Sequence, residues 1–437
     1  MKTKITVYLV FGLAVVLLLV ILTGVSGLIY SWSIPVDFHS FGMMFFSFFI
    51  IGLIIRYGFL LGASFLQFLS KPPPAPDVWP KVSVILPAYN EGLVIESALD
   101  SLLTLDYPRL EIVVVDDGSS DDTFVKAMRY MRRFGEARVR VIRQKNGGKS
   151  KALNTGLLHA HGEFVLCMDG DSSLSQQGLR KAVSYFADPG VGAVAGNIKV
   201  RNRRRLLGAL QALEYIEGLN LVRRAQAHFN AVGIIPGPFG VFRRSALIEL
   251  GGYEHDTFAE DCDITIKLLG RGWKTCYESS AIAYTEAPSS LLDLIKQRYR
   301  WTRGILQVLL KQRGLLGQLK DKPRASIILW CLAFEGLVWP VINVLGLTFF
   351  AVFICQGVLM EEVLALILLF IALDVIAAFY CIALEGEQFL LLPLVLIYRA
   401  FFSPIVDVYK IFATIEELFN IPMTWNKLDR IGEEKTN

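Results

Sequence analysis

Phe164-Val165-Leu166-Cys167-Met168-Asp169-Gly170-Asp171 is the stretch on which the reading of the chain turns. Five apolar residues in succession fit a strand buried on both faces, as in a mostly parallel sheet. The run ends in two aspartates separated by one glycine. Packing gives no reason for paired carboxylates there, because they repel each other and are costly to bury unpartnered. A divalent cation would resolve the cost. Asp169 and Asp171 offer hard oxygen ligands, and Gly170 leaves the backbone open to an approaching diphosphate. The plainer alternative is a solvated turn that happens to hold two aspartates, and Asp-X-Asp alone does not choose between them.

Upstream, the same pattern repeats. Val82 to Pro87 reads as a buried strand, and Ala88-Tyr89-Asn90-Glu91-Gly92 turns into a helix carrying Val94, Ile95, Ala98, Leu99 and Leu102. Glu111 to Val115 is a second strand, closed by Asp116-Asp117-Gly118-Ser119-Ser120. Arg138 to Arg143 is a third, spaced by Gln144 and Lys145 from Asn146-Gly147-Gly148-Lys149, which opens the next helix. Alternating strands and helices predict an open, doubly wound α/β sheet, in which ligands bind at the C-terminal strand ends. Downstream, Val191 to Val200 supplies another strand. The segment from Leu206 to Arg224 reads as a helix with Gln211, Glu214, Glu217, Asn220 and Arg224 at three- or four-residue spacing on an otherwise apolar surface. Such a helix suits a membrane interface, with Arg203-Arg204-Arg205 near lipid phosphates; a core helix and a solvated basic triplet are the alternatives.

Long apolar runs flank this region at residues 5–29 and 41–69, and again at 326–354, 363–384 and 389–406. Each is long enough for the roughly 20 residues of a membrane helix. The 437-residue chain therefore divides into two N-terminal spans (1–70), a proline-rich linker (71–80) and a globular insert (81–325). C-terminal spanning or interfacial helices (326–415) and a tail (416–437) follow. In the last helical stretch, Pro393, Arg399, Pro404 and Asp407 leave open whether it spans, kinks or lies in the interface. Lys2, Lys4, Arg56, Lys71, Lys320, Lys322 and Arg324 put the N-terminus and the insert on the cytoplasmic side of a multi-pass protein in the cytoplasmic membrane. A secretory leader is the lesser alternative for the first run. The formal charge of +4 gives no argument for nucleic acid. Six cysteines without C-x-x-C or Cys/His spacing indicate neither a zinc site nor a disulfide framework.

Two further clusters carry chemistry. Glu260-Asp261-Cys262-Asp263 begins a helix; carboxylates favour a first turn for dipole reasons alone, and the functional alternative is that one of them is a general base held near a sugar hydroxyl. Gln297, Arg300 and Trp301 share one helical face, setting a guanidinium that can grip a diphosphate beside an indole that can stack on a sugar. An aromatic–basic membrane anchor is the alternative.

Taken in order, Pro87-Ala88-Tyr89-Asn90-Glu91, Asp116-Asp117-Gly118-Ser119, Gly148-Lys149, Asp169-Gly170-Asp171, Glu260-Asp261 and Gln297-x-x-Arg300-Trp301 resemble the signature parts of one family. That family is the processive, membrane-integrated family 2 glycosyltransferases, which include cellulose, chitin, hyaluronan and poly-N-acetylglucosamine synthases. The resemblance runs from Val82 to about Arg313 and includes the flanking spans. It implies a GT-A domain, an inverting reaction, and a UDP-sugar site formed with Pro87, Ala88, Tyr89, Glu91, Asp117, Asn146, Lys149, Asp169 and Gly170. Asp117 would meet the uracil and Lys149 the diphosphate. It further implies Mg²⁺ or Mn²⁺ on Asp169 and Asp171, and Asp261 as base beside Glu260. Gln297, Arg300 and Trp301 would seat the diphosphate and the acceptor end, with Gly237, Pro238 and Phe239 bordering the acceptor sugar. The implied partners are a growing polysaccharide, membrane lipids and a small accessory membrane subunit.

Local stretches such as Ala193–Asn197, Phe242–Leu247 and Glu260–Leu268 resemble the poly-β-1,6-N-acetylglucosamine synthases. Gly237-Pro238-Phe239-Gly240 is more similar to chitooligosaccharide and hyaluronan synthases, which leaves sugar and linkage open. The rival readings are a transferase that adds one sugar to a lipid carrier and a non-catalytic membrane scaffold. The topology is directly testable. A tag at position 75 should stay inaccessible to an impermeant label in intact cells, and labelling from outside would reverse the orientation.

Overall fold

The computed structural model describes residues 5–16, 38–131, 133–134, 137–356 and 360–422. Nine strands form one sheet among the described residues. They are β1 (Val82–Ala88), β2 (Leu110–Asp116), β3 (Arg133–Phe134), β4 (Ala137–Arg143), β5 (Phe164–Cys167), β6 (Ser173–Leu174), β7 (Val191–Val200), β8 (Gly240–Arg243) and β9 (Lys274–Thr285). Their order is β3-β4-β2-β1-β5-β8-β7-β9-β6. The half built from β4, β2, β1 and β5 is parallel, with Val82 opposite both Leu110 and Phe164. This is the sheet the βα alternation predicts.

Because alternate strand residues face opposite sides, the parallel strands feed two cores. Val82, Val84, Leu86, Ile112, Val114 and Leu166 pack with helix Ile95–Leu103 on one side. Ile85, Val165 and Cys167 pack with helices Lys149–His159 and Glu260–Gly270 on the other. The second half supplies the antiparallel part of the expected, mostly parallel sheet. Strand β8 enters antiparallel between β5 and β7, while β9, which the sequence pattern did not disclose, runs parallel to β7.

Among the described residues, three helices are long and apolar enough to cross a bilayer: Ser47–Leu69, Pro323–Val352 and Ile367–Glu385. They answer to the apolar runs at 41–69, 326–354 and 363–384. Of the run 5–29, the helix Ile5–Val16 is described and the remainder lies outside the described residues. The run 389–406 is not a further span of this kind. It is broken near Pro393 and continues through a π-helical turn (Tyr398–Phe402) into helix Ser403–Leu418.

The helix expected over 206–224 extends to His228, with a π-helical turn at Tyr215–Asn220. Its polar stripe faces protein. Gln211 donates to the Pro288 carbonyl (2.8 Å), Asn220 to the Ile198 carbonyl (3.2 Å), and Arg224 pairs with Glu385 (3.0 Å). Its apolar face, with Ile216, Leu221 and Ala225, packs against Leu53, Leu61, Tyr380 and Cys381 of the spans. The segment is thus a packed junction between the sheet and the spanning helices, as in the core-helix alternative.

Glu385 ends a span and is buried against Arg224 and the Asn197 amide. Removing one member of a buried ion pair costs about 3–5 kcal/mol, whereas replacing both with apolar groups is close to neutral. Glu385→Gln should therefore lower the unfolding midpoint in detergent clearly, and Arg224→Met with Glu385→Leu should lower it less than either single change. A double variant worse than both singles would refute this account of the junction.

Candidate active site

The loops after β1 and β2 are stitched together. Asn90, in the left-handed region at φ 52°, donates its backbone N–H to Ser119 Oγ (2.9 Å), and its side-chain oxygen accepts from Ser120 N–H (2.8 Å). Asparagine tolerates that conformation better than most residues. Beyond β2, Asp117 accepts from Gln144 Nε2 (2.7 Å), Gly147 N–H (3.0 Å) and Gly148 N–H (2.8 Å). Gly118 sits at φ +75° with the Asn146 nitrogen 2.8 Å from where a Cβ would stand, so a side chain there would push this loop away. The outcome is a fixed start, at Lys149, for the helix that follows.

Lys149 Nζ lies 2.7 Å from Asp169 Oδ1 and 2.9 Å from Glu260 Oε1, joining the end of β5 to the N-terminus of helix Glu260–Gly270. Gly237 closes over this pair: a Cβ on it would stand 2.7 Å from Asp169 Oδ2 and 2.8 Å from Lys149 Nζ. Gly170 is held less tightly, with Glu91 Cγ 3.1 Å from its missing Cβ. Pro87 and Tyr89 are half-buried near this end of the sheet, Ala88 is buried at the end of β1, and Asn146 is exposed.

The two aspartates of the opening stretch diverge. Asp169 is half-buried beside Lys149, whereas Asp171 is 7% exposed, and its Oδ1 accepts from Ser172 (3.0 Å) and Thr285 (3.4 Å). These hard oxygens suit Mg²⁺ or Mn²⁺, and the Asp169 oxygen already faces the Lys149 ammonium, so this is a position where positive charge is stabilised. The other acidic group, Glu254, Asp256 and Asp263, is already engaged by cations: Lys311 reaches all three carboxylates at 2.5, 2.6 and 2.9 Å, and Lys267 pairs with Glu254 and Asp263.

Charge sorts the acids of the helix start. Burial raises the Asp261 carboxyl, and the neighbouring Glu260 charge raises it further, to about 6, against the pull of Lys149 and the Cys262 N–H at 2.8 Å. Burial also acts on Glu260, but Lys149 and then Arg300 overcome it and hold Glu260 below the usual carboxylate range. Burial disfavours the Lys149 charge, yet Asp169, Glu260 and Asp261 keep it firmly protonated. Two adjacent carboxylates thus have opposite shifts, a pattern typical of acid–base sites.

Helix Leu291–Lys311 brings the remaining residues. Arg300 Nη1 points to the Phe258 carbonyl (3.5 Å), just before Glu260. Gly304 makes this approach possible: a Cβ there would meet Ala259 N and Cβ, both at 2.7 Å. Trp301 is half-buried against the main core, with the Arg298 guanidinium 4.3 Å from its ring centre. Arg298 also donates to Gln297 Oε1 and pairs with Glu214 through Nε at 3.0 Å. Sequence reasoning missed both Arg298 and Gly304. The i, i+3 spacing of Arg298 and Trp301 was the available signal for the first. Gly237 and Pro238 remain partly exposed, but Phe239 is fully buried, its ring 2.5 Å from where a Gly196 Cβ would stand, so its side chain is core.

A half-parallel sheet with carboxylates, a lysine and an acidic helix start gathered at its strand ends defines a GT-A glycosyltransferase. Residues 80–304 match the glycosyltransferase-like family 2 model, and the chain belongs to that family. It is 34% identical over 267 residues to the poly-beta-1,6-N-acetyl-D-glucosamine synthase of Staphylococcus aureus, covering 61% of this chain and 64% of that one. It is 32% identical over 272 residues to the synthase of that name from Staphylococcus epidermidis, covering 62% and 65%. The matches therefore span just under two thirds of each relative. Among solved structures, a mannosyltransferase from Pyrobaculum calidifontis in complex with GDP-mannose and Mn²⁺ aligns over 85% of this chain and 98% of its own, with TM-score 0.62 and 27% identity.

The raised Asp261 carboxyl fixes a pH dependence. It is protonated below pH about 6 and ionised above, so a reaction that needs it as a base gains rate as pH rises through that value. In kcat/KM against pH, Asp261→Asn should remove this limb and cut turnover by about 10²–10⁴-fold. Persistence of the limb in the variant would transfer the role to another group.

Proposed function

We propose that this chain is a processive, inverting glycosyltransferase of the cytoplasmic membrane that extends an N-acetylglucosamine-type polysaccharide from a UDP-sugar and passes it across the bilayer. The bridge from Lys149 to Asp169 and Glu260, with Asp261 adjoining, carries the reading. It gathers a diphosphate-attracting cation, a metal-type carboxylate and a candidate base in one cleft. The relatives' name supports the polymer, the three long apolar helices support a multi-pass arrangement, and Lys71, Lys320, Lys322 and Arg324 beside the apolar runs support a cytoplasmic catalytic domain.

In this reading Asp261 takes the proton of the acceptor hydroxyl as its oxygen bonds to the anomeric carbon. The bond from that carbon to the diphosphate breaks on the opposite face, and UDP leaves. Lys149 and Arg300 draw the diphosphate and stabilise its growing charge. A divalent cation on Asp169 and Asp171 would add further charge neutralisation there. Pro87, Ala88, Tyr89, Glu91, Asp117, Asn146 and Gly170 frame the donor, while Gln297, Trp301, Gly237 and Pro238 border the acceptor.

A second reading, transfer of a single sugar, is the rival the sequence leaves open, and the likeness to the mannosyltransferase complexed with GDP-mannose adds GDP-mannose to the donors to be tried. Purified protein in lipid should be given UDP-N-acetylglucosamine, other UDP-sugars and GDP-mannose separately, with Mg²⁺ or Mn²⁺, and the products sized. Long polymer from UDP-N-acetylglucosamine is the expected result. Trp301→Ala should then shorten the products to oligomers while UDP still binds. Single-sugar products from the wild type would establish the second reading.

A further inference from the structure

We propose that Glu416 and Glu417, which lie beyond the family match at 80–304, are positioning residues for Arg300 and Trp301. The inference rests on the transferase reading of that helix. Tyr299 and Arg303 stand one turn apart on helix Leu291–Lys311, on either side of Arg300 and Trp301. Both are held by helix Ser403–Leu418 and the residues just after it. The Tyr299 hydroxyl donates to Glu416 Oε2. Arg303 gives Nε to Glu417 Oε2 at 2.5 Å, Nη1 to the Tyr299 hydroxyl at 3.1 Å and Nη2 to the Ile421 carbonyl at 2.6 Å. Arg303 is 4% exposed, so its guanidinium is shielded from water, while Tyr299, Glu416 and Glu417 are half-buried. A guanidinium used through three donor groups fixes direction as well as distance.

Other contacts hold this helix along its length. Arg298 pairs with Glu214, Gly304 seats the helix on Ala259, and Lys311, beyond the match, reaches Glu254, Asp256 and Asp263. The Glu416–Tyr299 and Glu417–Arg303 contacts add a hold on the turn from Tyr299 to Arg303 that carries Arg300 and Trp301, and losing it would loosen both relative to Glu260 and Asp261.

Further along the same C-terminal helix, Asp407 accepts from Asn343 at 2.9 Å, and Val406 packs with Leu210 and Leu294. Asn343 belongs to the Pro323–Val352 candidate span. The C-terminal helix is therefore a strut: bonded to a span at one end and to the Arg300–Trp301 helix at the other, it passes the seating of the span on to the acceptor platform.

The test uses the full chain in lipid. UDP is the binding probe, and the rate of sugar transfer is the readout, which serves polymer and single-sugar transfer alike. Glu417→Gln, alone and with Glu416→Gln, should lower that rate by up to roughly 10²-fold, the effect of misplacing reacting groups by about 1 Å. UDP affinity should fall by much less, because Lys149 keeps its place beside Asp169 and Glu260. Glu417→Asp should recover part of the rate. An unchanged rate overturns the proposal. So does a loss of UDP affinity parallel to the loss of transfer, which marks a general structural role. If the wild type makes single-sugar products only, the polymerase reading falls, and the rate still decides the strut.

Discussion

The structure depends on a single ammonium group. Lys149 draws together carboxylates from the end of a central strand and from the start of a distant helix, Asp169 and Glu260. Without a cation between them these groups repel; two like charges about 4 Å apart cost about 4 kcal/mol at an effective dielectric of about 20. The surrounding backbone is arranged to hold the ammonium in place. Asp117 fixes the loop that presents it, Gly237 lies against it with no room for a Cβ, and Gly148 at φ +86° starts its helix. The same cation lowers Glu260, while burial and the Glu260 charge keep Asp261 raised against its pull.

Much of this was legible because it is local. Strands β1, β2, β4 and β5 each read as a short apolar run ended by polar residues, and the ligand groups cluster at those ends as the doubly wound pattern requires. What stayed hidden depends on pairing across long separations. The antiparallel entry of β8, the existence of β9 and the salt bridge of Arg298 with Glu214 leave no mark on neighbouring residues. Gly304 carries no local mark either, because only the fold brings Ala259 against it. Phe239 shows the reverse error: its place in a site motif suggested a ligand contact, and the fold uses the ring as core.

The junction helix shows why amphipathic pattern alone does not assign a side to a helix. Its apolar face suggested lipid, yet that face meets the spanning helices, and the polar stripe meets the catalytic domain. Both faces are satisfied by protein because the helix lies between an apolar bundle and a polar domain edge. A moment measured along sequence gives the direction of the apolar face but not the identity of what covers it. The π-helical turn at Tyr215–Asn220 adds a residue within the helix, and Glu214 before it and Arg224 after it meet different partners, Arg298 and Glu385.

Asp117 poses the sharpest question of division of labour. The family resemblance assigns it to the nucleobase, while its oxygens accept three hydrogen bonds from Gln144, Gly147 and Gly148. A carboxylate has about four lone-pair sites, so one position remains for an N–H from a base. The two roles are then coupled. A base donating to Asp117 competes for the same electron density that holds the Gly147–Gly148 backbone, and that backbone leads directly into Lys149. With Asp117 in that proposed role, nucleotide recognition at one end of the cleft would be joined, through two glycines, to the cation that orders the carboxylates at the other.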